Sequence, residues 1–144
     1  MKQKIKPIIP EKIHLLVIDI VKQKIDTQAY NKHKQHQLNV GNKVLHNLEL
    51  KQIKMELSFS FENNDKTQLL FFQIDFHFKV ENLVDFYQLN EKNLPVFSAQ
   101  FIATILGISL STARGVIFEK LQNAGIKNII IPIVSPLKML KNNK

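Results

Sequence analysis

The sequence predicts an α+β fold, an antiparallel β-sheet of about four strands followed by a helix pair packed on one side of it. Two observations carry that prediction. Residues 53–61 and 70–80 alternate apolar and polar side chains over long runs, the period of a sheet with one buried and one wet face. After Pro95 the apolar spacing changes to a helical one, so strands come first and helices second. With 144 residues the chain can bury one substantial core, and it reads as a single domain spanning 1–144.

Residues 1–10 form a Lys-rich, Pro-punctuated and flexible start, with Pro7 and Pro10. Residues 13–25 then read as a strand apolar on both faces, Ile13, Leu15 and Val17 pointing one way and Leu16, Ile18 and Ile20 the other. A strand of that kind aggregates unless it is covered or paired, so self-association is expected. Residues 26–43, "DTQAYNKHKQHQLNVGNK", read as a polar crossover loop with isolated apolar groups at Tyr30, Leu38 and Val40. Residues 44–52 form a further strand or the bent start of the next. Ile53, Met55, Leu57, Phe59 and Phe61 line one face of that next strand, "NNDK" (Asn63–Lys66) turns the chain, and Leu70 to Val80 return as its hairpin partner.

Ser98 is the expected N-cap of a helix through Leu106, interrupted at Gly107. A second helix is expected from Ser109 or Ser111 to a left-handed stop at Gly125, giving a helix pair over 98–125. Residues 126–144 close the chain as an apolar tail with Pro132 and Pro136.

Several classes of chemistry find no support. The chain has no Cys, which excludes thiol catalysis, disulfides and Cys-ligated zinc. It has four Gly and no phosphate loop, nucleophile elbow or H-E-x-x-H, so neither catalysis nor a cofactor is expected. His33 and His36 lack a neighbouring carboxylate and read as solvated loop residues, and His14, His46 and His77 as wet-face strand residues. The basic, apolar N-terminus is too short to cross a bilayer and wrongly flanked for a signal peptide, so a cytoplasmic protein is expected.

Twenty Lys and Arg against twelve Asp and Glu give a net charge of +8, which invites an acidic partner. "IATILGISLSTARGVIFEKLQNAG" (Ile102 to Gly125) also has the grammar of a DNA-binding helix-turn-helix. Arg114 is the only arginine, however, and Arg carries most base-edge contacts. Leu110, Ala113, Ile117 and Leu121 make one apolar stripe, widened by Val116 and Phe118 to about 200°, twice that of a usual surface helix. The remaining face offers Thr112, Gly115, Glu119 and Gln122, which suits phosphate poorly. So wide an apolar arc implies covering on two sides, by the sheet and by a second subunit or bound chain. Arg114, close to that stripe, is expected to meet a carboxylate or carbonyl.

At these residues the chain resembles a known family. "GISLSTARGVIFEKLQNAG" followed by "IIIPIVSPLKML", and preceded by a hairpin ending "FHFKVENL", is similar to the SecB protein-export chaperones. The likeness is greatest to their divergent SecB-like branch, some members of which accompany toxin–antitoxin systems, and it covers residues 11–141. It implies a homotetramer built as a dimer of dimers. It also implies ATP-independent holding of unfolded preproteins in long apolar grooves, for protein export or for control of a toxin–antitoxin partner. Such a groove, between the crossover loop and the helix-plus-tail layer, maps onto Tyr30, Leu38 and Val40 on one wall. Ile131, Val134, Leu137 and Leu140 lie near the other, with Phe97 adjoining. Subunit contacts map onto Leu16, Ile18, Ile20, Phe101, Ile105 and Phe118. The chain departs from the family in two ways. Export SecB proteins are acidic and engage the SecA motor through acidic sheet residues, so a +8 chain argues against SecA delivery. Ser135 precedes Pro136 where many relatives have Asn. Other readings are a helix-turn-helix DNA binder and an oligomeric scaffold with one dedicated protein partner.

Overall fold

The computed structural model describes residues 6–28, 37–62, 68–127 and 129–142, so Tyr30, His33, His36 and the Asn63–Lys66 turn lie outside the described residues. One sheet of four antiparallel strands forms the body: β1 (Ile13–Ile25), β2 (Gln37–Asn47), β3 (Gln52–Glu62) and β4 (Gln68–Val80), in the order β1-β4-β3-β2. The connection from β1 to β2 therefore runs from one edge of the sheet to the other. A two-stranded ribbon, β5 (Tyr87–Leu89) with β6 (Pro95–Phe97), leads into a long helix (Ala99–Asn123), and a short helix (Pro136–Asn142) ends the tail.

The alternating runs behave as their period dictates. Met55 lies opposite Phe76, Leu57 opposite Ile74 and Phe59 opposite Phe72, and all six are completely buried. The long helix covers this face with Phe101, Ile105, Ala113 and Ile117, each with no exposed surface and spaced by one or two helical turns. Each large apolar side chain buried this way contributes about 1.5–3 kcal/mol relative to exposure. The helix is apolar enough, by length and composition, to cross a membrane, and 44% of its apolar stretch is buried here.

Two expected boundaries change. β2 begins at Gln37, inside the stretch read as a loop over 26–43. Leu38, Val40 and Val44 pair with Phe61, Phe59 and Met55 on the helix-facing side. Asn39, Gly41 and Lys43 turn outward between them, so the period of two was present but diluted by residues of poor strand propensity. The helix pair over 98–125 is one unbroken helix, Ala99–Asn123. Gly107 costs about 1 kcal/mol against Ala in a helix interior, far less than the burial on either side of it supplies. The hydroxyls of Thr104, Ser109 and Thr112 donate to the carbonyls four residues back, at 2.9, 2.8 and 2.9 Å, and so cap nothing. A helix-turn-helix needs two helices across a turn, and this segment has none.

Both helix ends follow the sequence signals. Ser98 Oγ accepts from the Phe101 N–H at 3.2 Å. At the other end Gly125 has φ 83°. Its N–H donates to Gln122, and the Ile126 N–H to Leu121, the two bonds of a Schellman stop. The aromatic residues around the ribbon pack on one another and on the long helix. Phe86 stacks on Phe101 with ring centroids 4.5 Å apart, and Phe97 packs among Phe101, Tyr87 and His46. His46 has the helix-facing register of β2, opposite Ile53, but lies near the strand's end, exposed, with its ring edge-on to Phe97.

Candidate functional site

The long helix crosses β3 and β4 and leaves β1 outside its cover. Two bulges, at Leu16 and Val21, reset the alternation of β1. Leu15, Ile18 and Ile20 consequently lie opposite Phe78, Phe76 and Ile74 on the helix side, while Val17 faces outward opposite His77. This corrects the expected division of the strand into two regular faces. Phe78 and Phe76 are buried, yet Leu15 and Ile18 are 38% and 43% exposed. On the other face Leu16 and Val17 are about half exposed and, with Leu45, Lys54 and His77, line a cleft of about 370 Å³. An edge strand of thirteen residues thus shows apolar side chains to water on both faces.

Beside that cleft, Asp75 is almost fully buried, directly between Asp19 of β1 and Glu56 of β3. Lys54 bridges it, 3.4 Å from Asp75 and 3.1 Å from Glu56, and the bond to Glu56 is the main cause holding the ammonium pKa above its ordinary value. Among the described residues no group of His, Asp and Glu has the arrangement to hold a metal.

A second cleft, of about 200 Å³, separates the long helix from the tail. Gly107, Leu110, Ser111 and Arg114 supply one wall, a single stripe spanning two helical turns, and Ile131 to Val134 with Pro136 supply the other. Gly107 faces the Pro136 ring, and a Cβ added there would meet it at 3.6 Å, an ordinary van der Waals contact. The tail alternates in its exposure. Ile131 is 3% exposed and anchors the segment, while Ile130 and Ile133 are 67% and 87% exposed.

The expected groove residues divide accordingly. Val134 lines the cleft, half-buried; Leu137 beside it is exposed, and Leu140 is half-buried against the core. Ile131 lines the cleft as well but is itself a core residue. Leu38 and Val40 are on β2, packed against the core from the far edge. Phe97 belongs to the aromatic cluster, and Tyr30 is outside the described residues. Of the expected subunit-contact residues, Leu16, Ile18 and Phe118 are exposed, and Ile20 is half-buried. Phe101 and Ile105 have no exposed surface and are core, because the helix turns that stripe to its own sheet. Sequence reasoning missed Gly107, Ile133 and the place of Arg114 in the cleft; the spacing 107, 110/111, 114 was the available signal.

An antiparallel four-stranded sheet of this order, a long helix on one face and a short helix in the tail define a SecB-like α+β fold. Among solved structures the chain is similar to the Mycobacterium tuberculosis Rv1957 SecB-like chaperone in complex with a ChAD peptide from the Rv1956 HigA1 antitoxin. The TM-score is 0.51 at 10% identity, over 88% of this chain and 93% of that one. No protein-family model and no curated protein sequence matches the chain. At this identity the likeness shows the fold.

Proposed function

We propose that the protein is an ATP-independent, SecB-like holding chaperone that binds unfolded segments through open apolar surface and performs no covalent chemistry. The carrying observation is the coexistence of a fully packed core with apolar side chains left in water. Ile130, Ile133 and Leu137 flank one cleft, and Leu16 and Val17 line the other. A monomeric domain seldom leaves such surface uncovered without a use for it. Rv1957 is complexed with a peptide, and a peptide client in the helix–tail cleft is the corresponding role here. We assign the exposed edge β1, with Phe118 on the outer side of the long helix, to contacts between copies in a homotetramer. The chain acts in the cytoplasm, and its +8 charge disfavours delivery to an acid-seeking SecA motor. The test is light scattering of a client diluted from denaturant: stoichiometric protein suppresses aggregation without nucleotide, and unchanged aggregation refutes the proposal.

One dedicated client, such as an antitoxin, is the second reading, favoured by the peptide bound to Rv1957. It predicts tight binding of one partner and weak general holding, and broad suppression across unrelated clients would exclude it.

A further inference from the structure

The helix–tail cleft holds the chain's only arginine. Arg114 is half-buried, and its described contact is a long one, 3.4 Å to Ser111 Oγ on the preceding turn. Among the described residues no carboxylate pairs with it; the ion pairs involve His14, Lys54 and their partners. A planar guanidinium on an apolar wall, with no carboxylate partner among the described residues, is suited to a two-pronged hydrogen bond with a carboxylate brought by something else.

The dimensions say what that is. Small-molecule sites run to about 300–1,000 Å³; this cleft, at about 200 Å³, has room for one large side chain. Exposed apolar residues continue along the tail on both sides of it, Ile130 before and Leu137 after, which suits a chain passing through. Leu110 and Arg114 stand one turn apart, about 6 Å along the helix axis. Alternate residues of an extended chain, which point the same way, are about 6.6 Å apart. The net charge of +8 adds a long-range attraction for acidic segments.

We propose that Arg114 makes this cleft selective for extended client segments in which Asp or Glu lies two residues from a large apolar side chain, a reading that rests on the holding function above. The test uses two fluorescein-labelled twelve-residue peptides, alike except for Glu or Gln two positions from a Leu, titrated by anisotropy. The Glu peptide binds wild type about tenfold tighter or more, the range of a charge-assisted bond. Arg114→Gln removes that preference, and Arg114→Lys keeps part of it. Equal affinity of the two peptides on wild type, or a preference that survives Arg114→Gln, overturns the proposal while leaving aggregation suppression intact. The same holds if neither peptide binds a protein that still suppresses aggregation; loss of suppression as well removes the holding reading too. An Arg114→Gln protein that dissociates with its preference unchanged assigns the guanidinium to a subunit contact and overturns the proposal. Should Arg114→Gln fail to fold by circular dichroism, the wild-type peptide pair and Arg114→Lys decide.

Discussion

Ile131 and Ile133 stand two residues apart in the tail, and the structure gives them opposite work. Ile131 is 3% exposed and touches the core, whereas Ile133 is 87% exposed on the rim of the helix–tail cleft. Truncating a fully buried Ile to Ala costs about 2–5 kcal/mol, transfer and cavity together. Fully burying an Ile is worth about 1.5–3 kcal/mol. The 13% of Ile133 withdrawn from water therefore contributes at most about 0.4 kcal/mol. For a domain of this size 1 kcal/mol moves the melting temperature by about 3–5 °C. Ile131→Ala should consequently lower Tm by on the order of 10 °C, and Ile133→Ser by about 2 °C or less. The assays are thermal melts followed by circular dichroism and, on the same samples, anisotropy of a bound apolar peptide. Ile133→Ser is expected to weaken peptide binding several-fold despite its near-native Tm. A large Tm loss in Ile133→Ser, or peptide binding unchanged in it, would show that the tail only seals the core.

Three further outcomes follow from the geometry. Ser98→Ala removes the one side-chain cap of the long helix and should cost about 1 kcal/mol in chemical denaturation. The double substitution Leu16→Lys, Val17→Lys puts charge on the exposed face of β1; light scattering should report a smaller species with the secondary structure retained, and an unchanged mass would exclude β1 from the assembly. His14 Nε2 lies 2.8 Å from Glu81 Oε2, and this bond is the main cause holding the Glu81 carboxyl below its ordinary pKa. A carboxyl lowered in the folded state stabilises above its ordinary range, and that contribution is lost as pH falls through the lowered value. The Tm difference between wild type and His14→Ala should therefore shrink toward acid, and NMR titration should show the Glu81 pKa rising in His14→Ala.

How far the sequence foretold this depends on how each element is buried. β3 and β4 are central strands with one face against the helix, so their alternation was nearly unbroken, Leu69 and Phe71 excepted, and their hairpin pairing could be read. β2 is an edge strand; four of its six outward positions carry Asn, Gly or Lys, and its pattern looked like loop. β1 was found with its ends correct, but its bulges moved Leu15, Ile18 and Ile20 to a common face, which no periodicity argument foresees. Ser98 and Gly125 marked the helix ends because caps are local chemistry. The unbroken passage through Gly107 goes with the burial of Ile105, Leu106, Ser109 and Leu110 around it, which involves residues remote in sequence. For the same reason the inward turn of Ile131, the outward turn of Ile133 and the place of Arg114, with no carboxylate partner among the described residues, appeared only in three dimensions.

The central claim is that apolar surface left open around a finished core holds unfolded chains. Its most direct measurement is hydrogen exchange by mass spectrometry on the protein with and without a saturating unfolded client. The account predicts protection concentrated in residues 129–137 and along the Gly107–Arg114 stretch of the long helix, with the β3 and β4 amides unchanged. Client binding that leaves the helix–tail cleft exchanging as in the free protein, or no client binding at all, would contradict it.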